Sequence, residues 1–358
     1  MTSYACRAGK SSPEASIEIG FKLEAMNLEF LQRELLFWFD TNKRDLPWRQ
    51  TRDPYQILLS EVLLQQTQVS RGILYFNRFL EMFPTVEDLA SAPLEAVLKA
   101  WEGAGYYARA RNLHKAAQVI TAHGMPNTFK GFLELPGVGR YTAGAVASIA
   151  LGLPVPVVDG NVRRVLARWL SEPQPTEDWL WAYSQGLLEK TRPGDWNQAI
   201  MELGATVCTP KNPSCSNCPV SSQCQAFLTA KVASIPAPKT RVPVKEINAV
   251  ALVVGTNGRY LLEQRPKSGL LGGLHGFPLL EIQIKQQQTL EQLLGSYNIN
   301  AAGRWVGVVN HTMTHRQFQI QVYEVQANVK NLEKPNDLAL SRLDQKILAL
   351  LEHQPLFD

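Results

Sequence analysis

Four of the five cysteines in this 358-residue chain lie between Cys208 and Cys224, spaced Cys208-x6-Cys215-x2-Cys218-x5-Cys224. Secreted proteins spread cysteines along the chain as disulfide staples; four thiols on one short loop of a large protein read as metal ligands in a reducing compartment. A zinc ribbon normally carries two Cys-x2-Cys knuckles separated by a longer stretch, and here there is one. Four thiolates on a compact, uneven loop suit an iron–sulfur cubane, whose irons need ligands from several directions. Structural zinc remains an alternative, and two disulfides a more distant one. Cys6 stands apart from the group.

The rest of the chain divides by its punctuation. From residue 27 to about 225, apolar residues recur at helical spacing, as in Leu28, Leu31, Leu35 and Phe39. A second helix is predicted to open at Pro54 and run through Ile57 and Val69. Others begin near Thr85, Pro93, Arg109, Tyr141, Thr176 and Asp195, several at a capping residue or proline. Strand signals are nearly absent from this part, which predicts an all-α domain. Residues 226–246, with the proline-rich run Ala233–Lys245 at their centre, read as an extended linker. Beyond it, Ala249–Gly255 is a β-branched run. Thr256-Asn257-Gly258 reads as a hairpin turn, Tyr260–Gln264 and Arg316–Gln326 as strands, and Thr289–Tyr297 and Asp337–Glu352 as helices, giving an α+β domain over 247–358. Residues 1–26 are polar and mixed, without the apolar core of a signal peptide, and read as a disordered extension.

The formal charge of +4 permits nucleic-acid binding without demanding it. No apolar run approaches the roughly 18 residues of a membrane span.

Three further features carry chemistry. In Leu135-Pro136-Gly137-Val138-Gly139-Arg140-Tyr141, a tight Gly-x-Gly turn joins two predicted helices. Its glycines leave the amides of about Val138 to Arg140 exposed at the positive end of the following helix, an arrangement suited to a phosphate. Glu61 shares a helix face with Ile57, Leu58, Leu64 and Gln65. A carboxyl buried there would have its pKa raised, as a general acid requires; the other reading is a surface glutamate at the edge of a buried helix. Asp159 comes just before a helix, where its residue type reads as an N-cap.

Taken together, the 6-2-5 cysteine loop and Leu135–Ala145 resemble the endonuclease III superfamily of helix–hairpin–helix DNA glycosylases. Leu46-Pro47-Trp48-Arg49, Pro54-Tyr55 and Ser60–Val69 look closely like its MutY family of adenine DNA glycosylases. The resemblance covers about residues 28 to 325. It implies a helix–hairpin–helix glycosylase domain over 27–225, with a 4Fe–4S cluster on Cys208, Cys215, Cys218 and Cys224. A NUDIX-like lesion-recognition domain follows over 247–358. Lysine occupies the position after the hairpin in members that also cut the backbone; Tyr141 here implies base removal alone.

By the same resemblance Glu61 is the catalytic acid, Asp159 stabilises the oxocarbenium-like sugar, and Asn161 and Tyr141 complete the site. Arg49 and Gln198 would contact adenine, Gln66 would fill the duplex, and Gly137, Val138 and Gly139 would hold phosphate. Tyr106, in the Gly103–Arg109 loop, would wedge beside the oxidised guanine. Met313-Thr314-His315 occupies the place of a Phe-Ser-His loop, so Thr314 and His315 would sense the lesion; Met313 departs from the pattern, as does His275 where tryptophan is common. The hydrolytic NUDIX box is missing after Pro278, which argues against pyrophosphatase activity. The implied substrate is duplex DNA with adenine opposite 8-oxoguanine or guanine, acted on by a monomer in the bacterial cytoplasm at the nucleoid. A bifunctional endonuclease III-like glycosylase/lyase is the alternative.

Overall fold

The computed structural model describes residues 27–238, 243–267, 269, 271–282, 286–313, 316–327 and 329–352. The predicted extension 1–26, part of the predicted linker, and Thr314 and His315 lie outside them. The chain forms two compact units, neither continuous in sequence: residues up to Gln66 with Val119–Lys239, and Thr67–Gln118 with the chain from Thr240 onward.

In the first unit the described residues form helices and turns and no strand. Leu28–Asn42 is capped by Asn27, whose side chain accepts from Phe30 N, and it buries Leu31, Leu35, Leu36 and Phe39. Pro54–Leu64 starts on an Asp53 cap with proline in its first turn and buries every residue from Ile57 to Leu63. A helix enclosed on all sides forces any carboxyl it carries out of water.

This helix stops at Leu64, short of the predicted Val69. Gln65 leaves the helical region with φ −59° and ψ 108°, Gln66 takes φ +61°, and a new helix starts at Val69. The break contains neither glycine nor proline, which is why periodicity alone runs straight through it. Helices Arg140–Leu151, Gly160–Trp169 and Pro193–Thr206 complete the frame around the site. They pack closely at glycines: a Cβ on Gly144 would lie 2.6 Å from Pro156 O, in the segment before helix Gly160–Trp169, and one on Gly204 would lie 2.6 Å from Asn161 Cβ.

The second unit joins helices Val69–Met82, Val86–Ser91, Leu94–Ala100 and the first part of Ala108–His123 to a sheet. Trp101 anchors the helical part with its ring edge-on to Phe79. The strands are β1 (Lys245–Thr256), β2 (Arg259–Tyr260), β3 (Glu263–Gln264), β4 (His275–Gly276), β5 (Leu279–Glu281), β6 (Arg304–Met313) and β7 (Arg316–Val325). The main sheet runs β2-β1-β7-β6 with β1 and β7 parallel; β5 pairs antiparallel with β1, and β3–β4 form a separate pair.

Asn257 and Gly258, both at positive φ, make the predicted hairpin turn between β1 and β2. The predicted strand Tyr260–Gln264 is instead split between the two sheets. Alternate residues of β1 serve two cores: Ala249, Ala251 and Val253 pack with Leu343 and Ile347 of helix Arg342–Glu352, while Val250, Leu252 and Val254 pack with Leu290, Leu293 and Leu294 of helix Gln286–Ser296. Asp337, predicted to open the last helix, lies in a preceding 3-10 turn. Tyr107 Oη donates to Leu340 O, Lys99 Nζ to Leu338 O, and Gln345 Nε2 to Glu102 Oε1, binding the two parts of this unit together.

Gly204→Ala must push Asn161 aside. It is expected to cost about 1–3 kcal/mol of stability, as overpacking does, read as a lowered urea midpoint at unchanged slope.

Candidate active site

Glu61 is the focus of the first unit, 6% exposed. Tyr141, in the first turn of the helix after the glycine hairpin, donates its phenol to Glu61 Oε2 at 2.6 Å, and the Tyr141 phenol oxygen lies 3.3 Å from Met201 Sδ. Burial lifts the Glu61 carboxyl to about 7. The Tyr141 bond opposes the lift, the Asp159 charge adds to it, and the Arg49 charge opposes it. The Tyr141 phenol is itself pushed well up by burial and by the neighbouring carboxylates. At neutral pH, therefore, a large share of Glu61 carries a transferable proton.

Asp159 caps helix Gly160–Trp169: Oδ1 accepts from Val162 N at 2.7 Å, and Oδ2 accepts from Asn161 Nδ2 at 2.9 Å. The N-cap reading is correct as geometry, and the residue is also electrostatically coupled to Glu61. Its carboxyl is raised by burial, with the two bonds pulling the other way. The segment leading to it is pinned by buried donors, Asn197 Nδ2 to Val155 O and Ser184 Oγ to Val157 O. Asn161 is held in turn: Arg164 Nη2 donates to Asn161 Oδ1 at 2.8 Å, while Arg164 Nε donates to Cys208 O at 2.7 Å.

Glu202, 1% exposed, is the site residue that sequence reasoning missed. Arg44 clasps both its oxygens and Arg49 Nη2 donates to Oε2 at 2.8 Å. Burial raises its carboxyl, but the two guanidiniums more than offset this and bring it to about 2. Its signal in the sequence was a lone acid between Ile200 and Leu203. Arg49 is thus locked in place, its guanidinium 5.3 Å from the Phe39 ring centroid and its buried Nε without a partner among the described residues. Gln198 is buried and its amide donates to Gly194 O of its own helix.

In the hairpin, Gly137 takes φ +75° and both glycines are exposed. Val138 N donates to Leu135 O at 3.1 Å, so this amide is spent on the turn itself and drops out of the predicted anion site. Gly139 caps the following helix without a side-chain cap bond.

The four cysteines are free thiols lining one cavity with Trp169 and Phe227. Burial pushes Cys218 up to about 12 and Cys224 to about 11. Arg168 Nη1 lies 3.3 Å from Cys208 Sγ, placing a fixed cation against the group. Among the described residues, no three His, Cys, Asp or Glu side chains converge where a single ion would sit. Four thiols in one cavity beside a fixed cation are a donor set suited to a thiolate-held metal group.

In the second unit Tyr106 takes φ +49° and is 40% exposed. With Gly105, His311, Thr312, Met313 and Arg342 it lines a cavity of about 240 Å3. Burial, with the charges of Lys346 and Arg342, holds His311 below its usual range. Two basic side chains of helix Ala108–His123 are engaged by backbone carbonyls: Arg109 donates to Ala104 O and Gly105 O, and Arg111 to Gly272 O. Gln66 is exposed at the end of its broken helix.

Residues 59–189 match the family model described as "HhH-GPD superfamily base excision DNA repair protein", and residues 249–350 match a NUDIX domain. A solved structure titled as a thermostable thymine-DNA glycosylase superposes with a TM-score of 0.53 at 30% identity, over 56% of this chain and 97% of that one. With the helical fold, these matches mark a base-excision DNA repair glycosylase of the helix–hairpin–helix class, a hydrolase of N-glycosyl bonds whose partner is DNA. The adenine DNA glycosylases of Homo sapiens and Mus musculus are each 39% identical over 81% of this chain, which spans 65% and 69% of their respective lengths. The chain belongs to the adenine DNA glycosylase family. No helix among the described residues is long and apolar enough to cross a membrane.

The raised Glu61 pKa carries a stability signature. Between the ordinary value of 4.5 and about 7 the folded state binds a proton that the unfolded chain has released, so stability falls as pH rises through that window. Glu61→Gln removes this dependence. Relative to the variant, the parent is expected to lose about 3 kcal/mol between pH 4.5 and 7, an order-of-magnitude figure checked by denaturant midpoints across that range.

Proposed function

We propose that this chain hydrolyses the N-glycosidic bond of adenine mispaired with 8-oxoguanine or guanine in duplex DNA, without cutting the strand. The observation that carries the reading is the buried Glu61, held by the Tyr141 phenol and lifted to about 7 by burial, within the field of Asp159. With Oε2 held by Tyr141, the Glu61 proton on Oε1 is delivered to N7 of an extruded adenine, making the base a neutral leaving group. Asp159, oriented by Asn161, supports the positive charge that develops on the sugar, as in the two-carboxylate logic of glycosidases.

Arg49 Nε and Gln198 contact the base, and Glu202 fixes Arg49 rather than reacting. Gln66 and Tyr106 occupy the opened duplex, while Gly137 and Gly139 hold phosphate. The cavity lined by Tyr106 takes the purine opposite adenine, and Thr314 and His315 sense the lesion. Residues 27–225 act as the glycosylase domain and 247–358 as the lesion reader, in a monomer working in the cytoplasm at the nucleoid. Tyr141, where a Schiff-base lysine would stand, disfavours the bifunctional alternative.

Cys208, Cys215, Cys218 and Cys224 hold a 4Fe–4S cluster. The group supplies no step; it shapes the loop 208–224 and anchors Cys208 O, to which Arg164 donates.

Duplexes with adenine opposite 8-oxoguanine, guanine or thymine are expected to release adenine from the first two, with strand scission appearing after alkali. Scission before alkali contradicts the hydrolytic reading, and release from neither mispair contradicts the substrate. Glu61→Gln is expected to lower the single-turnover rate by at least about 100-fold while retaining lesion binding. Protein purified anaerobically should contain iron and acid-labile sulfide; zinc in their place would rule out the cluster.

A further inference from the structure

Along helix Pro193–Thr206, the residues from Trp196 to Gly204 are buried except Met201, which is half-exposed. It is the one residue of that stretch with solvent exposure, and its sulfur lies 3.3 Å from the phenol oxygen that donates to Glu61. Tyr141 has a single phenol proton. That proton is directed to Glu61 Oε2 at 2.6 Å because a carboxyl oxygen is a far stronger acceptor than the thioether 3.3 Å away. A sulfoxide oxygen out-competes a neutral carboxyl for that proton: it is the stronger acceptor of the two and is attached to the atom already in contact with the phenol.

We propose that Met201 is an oxidation-sensitive modification site at which conversion of the thioether to the sulfoxide diverts the Tyr141 proton from Glu61 and suppresses base release. The oxidant is hydrogen peroxide. The sulfur lone pair attacks one peroxide oxygen, the O–O bond breaks, an S–O bond forms and water leaves; sulfur is oxidised and peroxide reduced. Reversal is the task of the methionine sulfoxide reductases.

The inference rests on the proposed role of Glu61, and its consequence has a defined sign. The charged and titratable groups facing Glu61 are Tyr141, Asp159 and Arg49, and the charge on Arg49 is matched by Glu202. Of the influences on Glu61, the Tyr141 bond is one that lowers its pKa. Losing that bond leaves the acid harder to ionise and free to rotate. The alkaline limb of the rate profile then moves to higher pH while the maximal rate falls. Loss of packing alone would lower the rate without moving the limb.

The full chain would be treated with hydrogen peroxide, mapped for oxygen at each methionine, and assayed for single-turnover adenine release from a duplex with adenine opposite guanine. Wild type is expected to lose roughly tenfold of its own untreated rate, as a misplaced general acid does, with its alkaline limb raised. Reductase treatment restores both. Met201→Leu, which keeps Met82, Met125 and Met313, should retain most of its own untreated rate. Met201→Gln, which puts an amide oxygen in place of the sulfur, should show the raised limb without peroxide.

Parallel loss in Met201→Leu, or full oxidation at Met201 with rate and limb unchanged, overturns the proposal. A titration of the 13C-labelled Glu61 carboxyl before and after oxidation separates the two claims. Should untreated enzyme release no adenine, the functional reading fails, yet an upward shift of that titration still supports the Met201 site and an unmoved one refutes it.

Discussion

A carboxyl group placed in a helix buried from Ile57 to Leu63 cannot be hydrated, and the surrounding structure is arranged around that fact. Desolvation alone would make Glu61 an inert neutral acid. The phenol of Tyr141 and the charge of Arg49 pull it back until it titrates near 7, where proton gain and proton release are both accessible. Position follows the same rule: Tyr141 is placed by the glycine hairpin, Asp159 by the helix it caps, and Arg49 by the short turn at Pro47–Arg49.

Glu61 and Glu202 show how partners decide the fate of equally buried carboxylates. Both are nearly inaccessible, but Glu202 accepts from two arginines and sits at about 2, whereas Glu61 accepts from a neutral phenol and sits at about 7. Separated pKa values divide the labour: one group is a permanent anion that fixes a guanidinium, the other a reservoir of a proton. Arg164 extends the frame outward, bonding Asn161 on one side and Cys208 O on the other, so that the segment carrying Asp159 is anchored against the cysteine loop.

Local chemistry was legible in the sequence where it is written in side-chain type. Thr85, Asp53 and Thr176 cap helices as their identity suggests, Asn257-Gly258 turns a hairpin, and the cysteine spacing brought four thiols to one cavity. Tertiary constraints were not legible. The break at Gln65–Gln66 carries no helix-breaking residue, and β6 exposes residues such as Arg304 and Trp305 that blur its alternation. Glu202 needs Arg44 and Arg49, more than 150 positions away, to become recognisable as a stable anion. The spent amide of Val138 and the attachment of residues 67–118 to the chain beyond 240 are likewise matters of packing, which no local pattern encodes.

Direct titration of the Glu61 carboxyl tests the central claim. With 13C-labelled glutamate and Glu61→Gln to assign the resonance, the chemical shift of the folded full-length protein is followed from pH 4 to pH 9. A midpoint near 7 is predicted by the balance of burial, Tyr141 and Arg49. A midpoint near the ordinary 4.5 would show the carboxyl ionised at neutral pH, contradicting its role as the proton donor.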